Sequence, residues 1–324
     1  MDKGLEFILK TEALTSLKRD GKAGSLKASY IFVCRDKYLR GQLIYAISAA
    51  VSGKGNSYFI TEDFARLQDG ELSSVSVFDG KMKVENAAQL LDDAYSGTLE
   101  GSQRIIFITE AQELSPQMQN KLLKLFEEPP KDTYIFFLCR GVQSFLKTIT
   151  SRAGVINIGD APVSVVKDIL LERGVDGEQA EAILGVSGFS IEKAISCIDN
   201  QNLVTVTDGV FAALADLKNS KLLPEIASRE IFNKENCTLA LEISGQVFNE
   251  MLNVKSNLPC ELFSEKSAAI DAIASRFSLL AIGEILYAHA EAERRLRANG
   301  GAPLVITYFL MAILEKSYLY PVNN

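Results

Sequence analysis

At 324 residues, 47% of them hydrophobic, the chain is long enough for two or three domains with cores of their own, which excludes a disordered or fibrous protein. Its net charge of −7, from 34 basic against 41 acidic residues, is opposite in sign to that of a protein living mainly by phosphate contacts. The start, Met1-Asp2-Lys3-Gly4-Leu5-Glu6, lacks the layout of a signal peptide and no apolar run reads as a membrane span, so a cytoplasmic location is expected.

Phe7, Ile8, Leu14 and Leu17 recur at helical spacing and predict an amphipathic helix over 5–18, followed by a loop over 19–24. Ala28 to Cys34 reads as a strand, and Leu39 to Val51 as a helix through Leu43, Ile44, Ile47 and Val51. In a nucleotide-binding protein the connection between them would cradle phosphates. That task needs glycines for close backbone approach, a lysine for the β and γ phosphates, and a serine or threonine hydroxyl for magnesium. The connection Arg35 to Gln42 has one glycine, no Gly-Lys-Ser/Thr, and bulky Tyr38 and Leu39, so ATP binding in the usual way is not expected. Gly53-Lys54-Gly55 follows a helix and reads as a C-cap turn.

The most ordered pattern runs from Arg104 to Arg152. An uninterrupted β-branched run, Arg104 to Ala111, predicts a strand buried on both faces. Ser115-Pro116 then supplies a cap and a first-turn proline, Met118, Leu122, Leu125 and Phe126 keep helical spacing, and Pro129-Pro130 ends the helix. A second strand covers Tyr134 to Cys139, and after Arg140-Gly141 a helical patch, Val142 to Ile149, delivers Thr150-Ser151-Arg152. The βαβ order predicts an α/β fold, a parallel sheet with helices on both faces, with Thr109-Glu110 and Cys139-Arg140 along one edge.

From about Ala161 the strand signals stop. Val165, Ile169 and Leu170, then Ala180 to Val186, then Ile191 to Ile198 predict three short helices, and 203–320 reads as wholly helical. Gly300-Gly301 with Pro303 separates a helix carrying Glu291, Arg294, Arg295 and Arg297 from a final apolar one through Ile306, Phe309, Leu310, Ile313 and Leu314. His289, the only histidine, shares a face with Ile282, Ile285 and Leu286 and reads as structural. The five cysteines include no Cys-x-x-Cys pair and read as buried small hydrophobes, so neither metal nor cofactor is expected.

The run Leu122-Leu123-Lys124-Leu125-Phe126-Glu127-Glu128-Pro129-Pro130, a following strand, and Thr150-Ser151-Arg152 together closely resemble the AAA+ clamp-loader subunits of bacterial DNA polymerase III. The first is similar to that family's Leu-Leu-Lys-x-Leu-Glu-Glu-Pro-Pro segment, the last to its Ser-Arg-Cys motif. The resemblance is strongest over 104–152 and weak beyond 200. It implies an AAA+ core over 1–160, a small helical lid over 161–202, and an all-α collar over 203–324 through which subunits form a ring. It also aligns Tyr58 to Asp63 with a short strand, Thr61-Glu62 replacing His-Pro, and Val84 to Leu91 with the helix after it.

Departures from the family's pattern bear on activity. Residues 56–100 hold no cysteine where many relatives carry a four-cysteine zinc module. Thr109-Glu110 stands in place of Asp-Glu, leaving Glu110 as a residual polar group at a strand end, and Cys139-Arg140 matches the first sensor poorly. Lys193 falls at the basic position of the second sensor and reads equally as a solvated surface lysine. The resemblance makes Arg152, with Ser151, an arginine finger directed at a neighbour's nucleotide, against a plain turn with an exposed arginine; Ala153 replaces the cysteine.

The expectation is therefore a ring member of the polymerase holoenzyme with no ATPase activity of its own, which supplies Arg152 to an adjacent ATPase and helps load the sliding clamp. The implied partners are gamma or tau ATPase subunits and a delta subunit, the clamp indirectly, and primer-template DNA through the assembled complex, with no membrane. A gamma- or tau-like ATPase subunit, a clamp-opening delta subunit and a free-standing scaffold with an AAA+ relic stay open as alternatives.

Overall fold

The computed structural model describes residues 1–52, 75–83, 87–95 and 103–322. The expected strand at Tyr58 to Asp63, the Gly53-Lys54-Gly55 turn and the start of the helix at Val84 lie outside them. The chain divides into two compact units, Met1–Ala161 and Pro162–Asn324.

The first unit opens with two helices where the sequence predicts one, α1 (Lys3–Lys10) and α2 (Glu12–Lys22). Thr11 separates them: its backbone is extended, its hydroxyl donates to the Ile8 carbonyl at 2.7 Å, and the same oxygen accepts the Leu14 N–H. Helix α2 also consumes most of the expected loop. Strand β1 (Ser29–Val33) leads into α3 (Lys37–Ser52), which starts two residues before the predicted Leu39 because the Asp36 carboxylate accepts the Leu39 N–H at 3.1 Å. The connection between strand and helix is thus only Cys34 to Asp36, and Tyr38 and Leu39 belong to the first turn of α3 rather than to a cradle.

The remaining elements of this unit are β2 (Val75–Asp79), α4 (Ala87–Tyr95), β3 (Arg104–Thr109), α5 (Pro116–Glu127), β4 (Thr133–Cys139), α6 (Lys147–Thr150) and β5 (Gly154–Asn157). The strands form one parallel sheet in the order β2-β3-β4-β1-β5. The period of two along each strand sends alternate residues to opposite faces. Ile31, Ile106, Ile108, Ile135 and Phe137 meet Leu90 of α4 and Leu122, Leu125 and Phe126 of α5. On the opposite face Tyr30, Phe107 and Phe136 stack at centroid separations of 5.5–5.6 Å, with Phe32 tilted against Phe136. Strands β2 and β5, the two edges, are not read from the sequence. The predicted patch Val142 to Ile149 is helical only in the short α6.

In the second unit every element is helical among the described residues: α7 (Val163–Glu172), α8 (Gly177–Ser187), α9 (Ile191–Ser196), α10 (Leu203–Asp216), α11 (Leu223–Ala227), α12 (Cys237–Lys255), α13 (Ser267–Ala274), α14 (Leu279–Arg297) and α15 (Ala302–Leu319), with short 3-10 turns between them. Helix α8 packs on α7 and α9 and also on α10 and α12. His289 Nε2 lies 2.8 Å from the Leu241 carbonyl oxygen, with its ring edge-on to Phe309, so the imidazole ties α14 to α12 and α15. The expectation that no apolar run reaches the length of a membrane span needs correction. Helix α15 has 18 residues at a mean hydropathy of 1.3, long and apolar enough by length and composition to cross one. In the fold one face packs on α14 and α11 and buries Val305, Ile306, Phe309, Leu310 and Ile313, but only 39% of the helix is buried, so core packing accounts for part of its apolarity.

Candidate functional site

The parallel order brings the carboxyl ends of β1, β4 and β3 side by side, the edge where open α/β sheets place their ligands. Cys34 follows β1, Cys139 ends β4, and Glu110 follows β3. The Cys34 N–H donates to the Cys139 carbonyl at 2.8 Å, closing the gap between the first two. Glu110 adopts a left-handed backbone conformation with φ 46°, uncommon for a residue with a side chain and costly by about 1–3 kcal/mol. Its carbonyl lies so close to Gly80 that a Cβ there would collide with it.

What Glu110 meets is Arg40, a residue overlooked in the sequence reading. Arg40 sits one turn into α3, 3% exposed, and its guanidinium is held on three sides. One terminal nitrogen donates to the carbonyls of Cys34 and Arg35, both at 2.7 Å, and the other donates to Glu110 Oε1 at 2.7 Å. The second carboxylate oxygen of Glu110 accepts from Gln112 Nε2 at 2.8 Å, and Arg140 Nε stands 3.7 Å from it. Gln112 in turn accepts the Arg140 N–H at 3.2 Å. Burial pushes the Glu110 carboxyl up, but the hydrogen bonds from Arg40 and Gln112 and the charges of Arg40 and Arg140 outweigh it and hold the group below its ordinary value. The sequence did carry a signal: Arg40 precedes Leu43, Ile44 and Ile47 at helical spacing, so it lies on the inward face of α3.

Chemically, this arrangement is the reverse of a phosphate cradle. Such a cradle turns backbone N–H groups toward an anion. Here two carbonyl oxygens and a carboxylate converge on a cation of the chain itself. The neighbouring thiols are inert as well: burial pushes Cys34 up to about 12 and Cys139 up to about 11, so both stay protonated at neutral pH. Among the described residues no cluster of three or more His, Cys, Asp or Glu side chains could hold a metal ion.

Ser151 and Arg152 lie elsewhere in the same unit, on the turn between α6 and β5. Buried Ile149 and Ala153 anchor that turn on either side and are joined by an N–H to carbonyl bond of 3.0 Å, which leaves Ser151 and Arg152 displayed at the surface. The loop leading to it is fastened from below by Gln119 of α5, fully buried, whose side chain donates to the carbonyls of Leu114 and Ser144 and accepts the Leu146 N–H. One Arg152 terminal nitrogen donates to the Thr148 carbonyl at 3.0 Å and the other to Glu127 Oε1 at 3.0 Å. The Ser151 hydroxyl donates to the same Thr148 carbonyl at 3.1 Å. In the second unit Lys193 Nζ pairs with Glu242 at 3.0 Å. That unit also holds a cavity of about 300 Å³ with Glu181, Asp208, Phe263 and Lys266 in its wall. Within it Lys266 pairs with Asp208, and Glu181 with Lys167 and Ser264.

Residues 9–162 match the family model described as DNA polymerase III, delta subunit. Over 69 residues the chain is 38% identical to the DNA polymerase III subunit delta' of Yersinia pestis, covering 21% of this chain and 20% of that one. Over 110 residues it is 28% identical to the subunit delta' of Bacillus subtilis, covering 34% and 33%. The matches thus span about a fifth and a third of the length of these curated relatives. A Thermotoga maritima protein related to the DNA polymerase III gamma subunit has a solved structure that aligns over 94% of this chain and 100% of its own, at 17% identity and a TM-score of 0.43. The solved delta protein of the Bacillus subtilis DNA clamp loader aligns over 93% and 99%, at 15% identity and a TM-score of 0.35.

Proposed function

We propose that this chain, delta-prime-like over residues 9–162, is a ring subunit of a DNA polymerase III clamp loader without ATPase activity that lends Arg152 to a neighbouring ATPase. In this reading the chain stands beside gamma or tau subunits and a delta subunit in the cytoplasm, reaches the sliding clamp indirectly, and meets primer-template DNA through the assembly. Residues 161–202 serve as the lid and 203–324 as the collar.

The observation that carries the reading is Arg40. Its guanidinium neutralises Glu110 and fills the carbonyl-lined notch beyond β1. To bind there, a nucleotide would have to displace a buried cation, strand Glu110, and set its phosphates against carbonyl oxygens. Each of these steps opposes binding. Support for the collar comes from α15, where Leu304, Met311 and Tyr318 recur every seven residues at 76, 57 and 68% exposure. The neighbouring α14 exposes Leu280 and Tyr287. Exposed apolar groups in such number fit a surface that another subunit covers.

Calorimetric titration of the isolated chain with ATP and magnesium tests the first part of the reading. No binding heat is expected. A dissociation constant in the micromolar range would overturn the claim and return the chain to the ATPase subunits.

A further inference from the structure

Glu127 is the last residue of α5, and nothing local explains a carboxylate there. An acid at the C-terminal end of a helix opposes the helix dipole, whose negative pole lies at that end. Its carboxylate instead reaches across 25 residues of sequence to Arg152, at 3.0 Å. Both side chains are open to solvent, Arg152 at 41% and Glu127 at 50% exposure.

We propose that Glu127 holds the Arg152 guanidinium in waiting and gives it up when a neighbour's phosphate arrives. The proposal rests on the finger reading of Arg152. The two contacts of the guanidinium differ in kind. The bond to the Thr148 carbonyl belongs to the backbone of α6 and can persist while the side chain works, keeping it ordered. The bond to Glu127 is to an anion, which competes for the same nitrogen that a phosphate oxygen would take. An exposed pair of this kind is weak, shifting an equilibrium by no more than about fivefold, so release is cheap. Held this way, the arginine is kept from other carboxylates on an acidic protein without being lost to its partner.

Removing the competing anion should therefore speed the step that Arg152 assists, while the Thr148 bond preserves its orientation. The experiment compares steady-state ATP turnover of complexes reconstituted from the full-length chain and its ATPase and delta partners. The chain would be wild type, Glu127→Ala, Glu127→Asp, Arg152→Ala, or the Glu127→Ala/Arg152→Ala double variant. Glu127→Ala should raise kcat roughly two- to fivefold with KM for ATP unchanged, and the gap should narrow as salt screens the pair. Glu127→Asp should behave as wild type. In the Arg152→Ala background the Glu127 substitution should do nothing, which a structural role for Glu127 would not produce. Unchanged or slower turnover for Glu127→Ala, with Arg152→Ala slowed, would overturn this inference alone. Unchanged turnover for Arg152→Ala would overturn the finger reading itself.

Discussion

Arg40→Ala should destabilise the first unit by about 2–4 kcal/mol, the largest loss expected from any single substitution at the carboxyl edge of the sheet. Breaking a buried ion pair by removing one partner costs about 3–5 kcal/mol, because the other charge stays behind. The lower figure applies here because Glu110 is partly open and keeps Gln112 and Arg140. Two carbonyls, of Cys34 and Arg35, also lose their donor. For a unit of this size the loss lowers the calorimetric midpoint by roughly 5–15 °C. Arg40→Met with Glu110→Gln should recover part of it, since no uncompensated buried charge is left, while the Cys34 and Arg35 carbonyls still lack their donor. The pH dependence follows from the depressed carboxyl of Glu110. Its stabilisation is fully present above the unfolded carboxylate value of about 4.3 and is lost as pH falls through the lower folded value. The gap between wild type and Arg40→Ala should accordingly close in acid. A change of less than about 0.5 kcal/mol at neutral pH would mean that Arg40 is not the plug described.

Arg152→Ala should have the opposite profile, neutral for the fold and severe for catalysis in the complex. The side chain is exposed and its pairing with Glu127 is of the kind worth about 0–1 kcal/mol, so unfolding should shift by no more than about 0.5 kcal/mol. Assembly should persist, because in the proposed reading residues 203–324, not Arg152, carry it. In the proposed reading Arg152 serves one neighbouring ATP site, where an arginine finger is worth roughly 10³- to 10⁵-fold in rate, so turnover there should collapse and clamp loading with it. A contact formed mainly in the transition state leaves nucleotide affinity nearly unchanged. The readout is ATPase activity stimulated by DNA and clamp in complexes carrying either form. Unchanged turnover would make Ser151-Arg152 a structural turn.

The parts of this architecture legible in the sequence are those where local pattern and tertiary burial agree. Strands β1, β3 and β4 lie in the middle of the sheet, are covered on both faces, and read as unbroken apolar runs. Strands β2 and β5 lie at its edges, are short and half-exposed, and give no such run. An exposed Arg152 is what both readings of Ser151-Arg152 expect, a finger or a plain turn, and the structure has it at the surface. Its partner Glu127 was not legible, since no periodicity links residues 25 apart. Arg40 does not stand out in the sequence because a charged residue at the head of a helix reads as solvent-exposed. It is paired with Glu110, whose left-handed backbone and close approach to Gly80 leave no mark on composition.

The central claim is membership of a clamp-loader ring, and co-purification tests it most directly. The intact chain, mixed with candidate ATPase and delta subunits and passed over a sizing column, should elute with both in one complex. Elution of the chain alone, with the ATPase and delta subunits assembling fully without it, would contradict the account.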